Sequence, residues 1–282
     1  MIVAANHIPV YWSNRRRSLW HSCRLRYFFH CFGSWGGFDP DAPAESRELH
    51  RLKRLMNKEE YLTSLLVRCI REHFYQSPDE TLEKIVQIRF RRDWFAMQNF
   101  SAEDHNLPRL RELEFEPCRW RELQQELQME LSGRIALLKD GFYGTLEKIP
   151  LVDRLELPYP LAVTLGDLTC YTPVVLCWSR GNELIFADLS DTPESALFHR
   201  YCAMEKTGLP PEGVVSFHLD LQSGLFRRFD NALPVSGLLR GIRQDIREMS
   251  AAIRMDGSAD SGDFPAAAGE HCRKCPYRSF CC

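Results

Sequence analysis

The chain closes on EHCRKCPYRSFCC, and this cysteine-dense end constrains the fold more than any other stretch. Cys272, Cys275, Cys281 and Cys282 all fall within its last eleven residues. The first three form C-x2-C-x5-C. Two residues between thiolates let one turn present both sulfurs to a single centre, and Pro276 stiffens the path towards the third. A tetrahedral zinc or a cubane iron–sulfur cluster takes four ligands. A fourth must therefore come from elsewhere, and Cys23, expected inside a helix near the start of the chain, is the candidate. His271 could stand in for a thiolate and would favour zinc. Cys282 could exchange with Cys281.

The eleven cysteines are an odd number. The early basic run RRR follows a modestly apolar start, the reverse of a secretory signal, so a cytoplasmic protein is expected. Metal or redox chemistry is favoured over a disulfide framework. Cys31, Cys69, Cys118, Cys170, Cys177 and Cys202 stand singly in apolar, aromatic or mixed segments and read as buried small hydrophobes. With 44% hydrophobic and 26% charged residues among 282, the composition is that of a globular chain. No run approaches the roughly 18 consecutive apolar residues of a membrane helix. A net charge of −2 gives no global pull towards nucleic acid, so local patches must supply any. Arg15, Arg16, Arg17, Arg24 and Arg26, interleaved with aromatics, could track a phosphate backbone. They could equally form a solvated helix face lying over the metal region. Arg89, Arg91 and Arg92 make a second possible basic patch.

Hydrophobic periodicity predicts helices over 43–56, 58–75, 79–101 and 107–140. The texture then changes. LAVTLGDLTCYTPVVLCWSRGNELIFADLS is rich in β-branched and aromatic residues, with turn signals at Gly166-Asp167 and Ser179–Asn182, and predicts three successive antiparallel strands. A helix over 193–206, a strand pair around Gln222–Gly224 and a helix over 235–254 follow, before an acidic, small-residue linker. This order gives an α/β fold in a single domain spanning 1–282. Its sections are a mainly helical 18–140, a mixed-sheet 141–234, and 235–282 packing back on the N-terminal helix.

SLWHSCRLRYFF together with the terminal C-x2-C-x5-C resembles the iron–sulfur branch of the PD-(D/E)XK nucleases, the RecB-like, AddB-like and CRISPR-associated exonucleases. YFFHCFGSWGGFDPDAPAESRELHRLKRL is similar to a stretch in a bacterial branch of that superfamily. The resemblance implies a restriction-endonuclease-like αβββαβ core with a helical section added. It also implies a [4Fe–4S] cluster held by Cys23, Cys272, Cys275 and Cys281, with zinc as the alternative. DNA rather than RNA, and a protein partner in a larger complex, are the partners it suggests; a membrane is not.

The catalytic positions that the resemblance implies are degenerate. A metal-dependent nuclease of this kind needs an Asp on one strand, and an Asp or Glu on the next followed two residues later by Lys. Hard oxygen ligands hold Mg²⁺, and the lysine helps orient water. The first Asp position reads Val174, the second Asp188, and the lysine position Ser190. The helical His of RecB-like members is replaced by Arg68, with His73 more than a turn further on. Asp167 and Glu183 could compensate but read as turn residues. The expectation is a nuclease fold that has lost catalysis. Two others stand beside it: an active nuclease with a rearranged site, and a zinc-stapled interaction module.

Overall fold

A computed structural model describes residues 3–4, 10–99, 109–115, 119–165, 168–189, 192–229 and 235–281. Its principal helices are α1 (Asn14–Ser22), α2 (Arg24–Phe28), α3 (Ala44–Lys53), α4 (Lys58–Tyr75), α5 (Leu82–Gln98), α6 (Trp120–Leu138), α7 (Pro193–Thr207) and α8 (Val235–Ala251). Four strands share a sheet: β1 (Val174–Arg180), β2 (Glu183–Asp188), β3 (Val214–Leu219) and β4 (Phe226–Arg228). The architecture is mixed α/β. No helix among the described residues is long and apolar enough to cross a membrane. The chain divides into two compact units. The first comprises Met1–Leu55, Gly166–Cys170 and Leu239–Cys282; the second comprises Met56–Leu165 and Tyr171–Leu238.

The first unit joins the two ends of the chain. Val3–Ala4 pairs antiparallel with Ala259–Asp260. Ser13 caps α1 by accepting a hydrogen bond from the Arg16 N–H, and α1 ends at Cys23. Here the expectation of a continuous helix fails. Cys23 is extended, at φ −165° and ψ 112°, so α1 stops and α2 restarts around it. A wide π-type turn over Phe29–Gly33 then leads towards α3. Phe264, from the far end of the sequence, packs against the rings of Trp20, Tyr27, Phe28 and Phe32. Full burial of such a side chain contributes about 1.5–3 kcal/mol, and each ring pair somewhat more.

The second unit sets helices against the sheet. Asn57 and Glu60 form a reciprocal capping box at the start of α4. Leu62, Leu65, Leu66, Cys69 and Ile70 on α4 enter one core with Ile85, Phe90 and Trp94 of α5, Leu127 and Leu131 of α6, and Val175 and Leu176 of β1. The β1–β2 hairpin turns at Gly181, whose φ of 59° suits glycine. β2 continues through α7 into β3, and the two strands run parallel. Thr192 and Pro193 begin α7, and Gly208, left-handed at φ 69°, ends it. β4 completes the sheet antiparallel to β3.

Two expectations about elements are corrected. Pro173, which has no N–H to give a ladder, splits the middle strand of the predicted triplet. The stretch folds as Leu161–Leu165, Leu168–Thr172, β1 and β2, and only the last two belong to the four-stranded sheet. The predicted 107–140 helix gives, among the described residues, the short helix Arg111–Phe115 and then α6. The Gly166-Asp167 turn lies outside the described residues.

Candidate metal centre and the expected catalytic positions

Cys23 is buried at the α1–α2 junction. Its backbone does the capping: the N–H donates to the Leu19 carbonyl, and its own carbonyl accepts from the Tyr27 N–H. The thiol takes no part in the cap. Cys272 and Cys275 sit on a turn stabilised by the Cys275 N–H donating to the Cys272 carbonyl at 3.2 Å. The next residues dock on α2 and the turn after it. Tyr277 and Phe280 pack against Phe29 with tilted rings, their centroids 5.7 and 5.8 Å away. The Tyr277 hydroxyl lies 3.1 Å from His30 Nδ1. Half-buried Cys275 packs on this core.

Burial raises the Cys275 thiol pKa, and the Cys23 and Cys272 thiols, both within electrostatic reach, raise it further; the Tyr277 backbone and Arg26 oppose this. Cys281 is exposed on the terminal helix Arg278–Cys281, beside docked Phe280. Among the described residues, no three His, Cys, Asp or Glu are drawn together closely enough to form a ligand set. The buried Cys23 thiol is unused by the backbone cap, and Cys272 directs its Sγ to the Ala267 carbonyl at 3.8 Å. His271, the alternative ligand, directs Nε2 to the Ala267 carbonyl at 2.9 Å, and Cys282 lies outside the described residues. Cys31, Cys69, Cys170, Cys177 and Cys202 are buried as expected; burial lifts the Cys69 and Cys177 thiols to about 12 and Cys170 to about 11. Cys118 lies outside the described residues.

The N-terminal arginines divide into two groups. Asp245 of α8, almost fully buried, receives Arg17 Nε at 3.3 Å, His21 Nε2 at 2.9 Å and Trp12 Nε1 at 3.0 Å. Glu248 receives Trp20 Nε1 at 3.2 Å and lies 3.8 Å from Arg24, whose guanidinium covers the Trp20 ring. Arg17 and Arg24 thus fasten α1 and α2 to α8. Arg15, Arg16 and Arg26 belong to a different set, joined by Lys53 of α3, which the sequence reading did not select. All four act on His30. Burial first, then Arg15, Lys53, Arg16 and Arg26, lower its pKa to about 2. Arg16 is itself buried, with its guanidinium 3.4 Å from the Tyr11 ring centroid. Of the second patch, Arg89 is tied to Glu72 at 2.7 Å, while Arg91 and Arg92 are exposed.

The expected catalytic positions meet in the second unit. Val174 of β1 lies directly opposite Asp188 of β2, and both are fully buried. Two carboxylates here could share a metal; a valine and a carboxylate cannot. Asp188 Oδ2 is 2.7 Å from Nδ1 of buried His199 on α7. That contact binds α7 to the sheet. Arg68 reaches away from the strands to Asp93 of α5 at 2.5 Å. His73 bonds the Tyr143 hydroxyl. Glu183 pairs with Arg180 at 2.8 Å across the hairpin end, as a turn residue would. Ser190 and Asp167 lie outside the described residues.

Two α4 side chains reach β1: the Tyr75 hydroxyl accepts from the Cys177 N–H at 2.8 Å, and Arg71 extends along the strand. Arg71 donates to the carbonyls of Val174 and Val175, at 3.3 and 2.8 Å, and of Leu157 at 2.9 Å. Its spacing one turn from Arg68 was the only signal in the sequence. No protein-family model matches the chain, and no curated protein matches it.

Proposed function

We propose that this chain is a nuclease-like protein without catalysis, whose ends are stapled by a [4Fe–4S] cluster and which binds nucleic acid beside an active partner. The observation that carries the reading is the pairing of Val174 with Asp188 at the place where two metal-binding carboxylates are needed. The hairpin, crossover helix and parallel strand around that pair suit a PD-(D/E)XK core. With Asp188 engaged by His199 and Arg68 by Asp93, neither side chain faces a vacant catalytic pocket. Cys23, Cys272, Cys275 and Cys281 would hold the cluster. When bound, it supplies a covalent tie between segments about 250 residues apart; metal-binding energy then becomes folding energy.

Purification without oxygen, with iron, sulfide and zinc analysis, tests the staple. Roughly four irons per chain is the expected [4Fe–4S] content. A colourless, stoichiometric zinc protein would favour the zinc-stapled module. Incubation with single- and double-stranded DNA in Mg²⁺ and Mn²⁺ tests the lost chemistry. No cleavage is expected. Metal-dependent cleavage abolished by Asp188→Asn would establish a rearranged active nuclease instead.

A further inference from the structure

α5 and α6 lie antiparallel on the core of the second unit. Glu83 and Lys139 form an ion pair at one end, and the rings of Trp94 and Trp120 meet edge-on at the other, 5.2 Å apart. Between these ties lies a cleft of about 480 Å³. Its floor is apolar, from Val86 and Phe90 of α5 and Leu131 and Ile135 of α6. Within each helix the two are one turn apart, so they share a face. The α6 wall is low. Exposed Ser132 and Ala136 line it, and nothing lies within 4 Å of the position that a Cβ on Gly133 would take. Each helix also leaves one large apolar side chain in solvent a single turn from the lining: Phe95 beyond Arg91, 68% exposed, and Met129 before Ser132, 75%.

The charges of the lining sit at its two ends. Lys139 is answered by Glu83, but Asp140 beside it has no cationic partner among the described residues. Arg91 lies two turns along α5 from Glu83, about 12 Å at 1.5 Å per residue. Among the described residues it likewise has no carboxylate partner. Two other cations of the same helix are engaged: Lys84 holds Glu80 and Arg89 holds Glu72, both at 2.7 Å. The cleft is therefore a hydrocarbon floor with an unanswered cation at one end and an unanswered carboxylate at the other.

From this arrangement we infer that the cleft docks an amphipathic helix of a partner protein, its apolar stripe on the floor, an acidic side chain on Arg91 and a basic one on Asp140. Apolar anchors at i, i+3, i+4 and i+7 are how a helix occupies such a groove. The spacing of the charges is also that of a helix. An acid and a base two turns apart on one face reach Arg91 and Asp140 together. The low α6 wall lets the partner's backbone come close, since the side chains at the contact set the distance between packed helices. Nucleic acid, anionic throughout, would be repelled at Asp140; a bipolar partner is not. The inference rests on the reading that the chain works beside a protein partner, and it locates that contact on the second unit.

The test is fluorescence anisotropy on the full chain with its metal, using labelled helical peptides of about 14 residues, roughly four turns. Each carries a leucine stripe flanked, two turns apart, by Glu and Lys, by Glu and Glu, or by Lys and Lys. Only the first can answer both ends of the cleft, whichever way it lies. In low salt it should bind about fivefold tighter than either like-charged peptide, and the preference should fade in high salt. Arg91→Glu should turn the preference to the Lys/Lys peptide, whereas Arg92→Glu should leave it unchanged. Ala136→Trp, on the exposed wall, should weaken all three at least tenfold while circular dichroism, metal content and melting temperature stay as in wild type. Absence of binding, equal binding of the three peptides, or binding indifferent to Ala136→Trp would overturn the assignment. So would a wild-type dimer in solution that Ala136→Trp makes monomeric, because a second copy would then cover the cleft. Metal analysis and the DNA incubations do not involve this cleft, so its failure leaves the stapled, non-catalytic reading to be decided by them.

Discussion

His30 shows how strongly a few neighbours can set the state of one side chain. It is half-buried and bonded to Tyr277, and burial first, then the charges of Arg15, Lys53, Arg16 and Arg26, keep it neutral in the folded protein. An unfolded chain would protonate it below about pH 6.5. Between that value and its folded value of about 2, the unfolded state binds the extra proton. Stability therefore falls as pH falls, by about 1.4 kcal/mol for each pH unit. Urea midpoints measured from pH 7 down to 5 should drop more steeply for wild type than for His30→Gln. Parallel curves would mean that the folded protein does not hold His30 neutral. Cys23 makes a related point. Its identity as a ligand candidate was legible in the terminal spacing, but its extended backbone between two helices was not. Nothing in HSCRL is a helix breaker; the break belongs to the packing of α1 and α2.

At the scale of elements, α4 was the most readable helix. Its predicted limits, 58–75, are the observed ones, because Asn57 and Glu60 carry the capping box in the sequence itself. Asn57→Ala should cost about 1 kcal/mol in urea unfolding; a cost near zero would show that tertiary contacts alone fix the helix start. The strands were less readable. CYTPVVLCW has the composition of one strand, and only the missing N–H of Pro173 separates Leu168–Thr172 from β1. The crossover from β2 through α7 to β3 follows the order of the sequence. Its parallel register, which sets His218 beside Asp188, appears only once the strands are placed.

At the scale of the molecule, the first unit joins residues from both ends of the chain to a short internal segment, and the ends share an aromatic core around Phe264 and a two-stranded pairing of residues 3–4 with 259–260. A metal staple from Cys23 to the C-terminal knuckle would reinforce that closure. Cys275→Ser should lose the metal and lower the melting temperature. In hydrogen exchange it should also deprotect α1, α2 and residues 259–281 well before β1–β3. Retention of metal with an unchanged melting temperature would eliminate the staple. Exchange rising equally in both units would show that they unfold as one.

The sequence by itself determined the helices with their own caps, the cysteine spacing from which a metal centre is proposed, and the absence of a carboxylate at Val174. Each of these is carried by residues a few positions apart, whose chemistry acts locally. Only the tertiary structure decided which arginines are satisfied. Arg17 and Arg24 meet acids on α8, far along the sequence. It also turned Arg68 towards Asp93, brought Arg71 to β1, and gave Asp188 to His199. Charge pairing depends on distance in space, and the groups that answer a charge are seldom its neighbours in the chain.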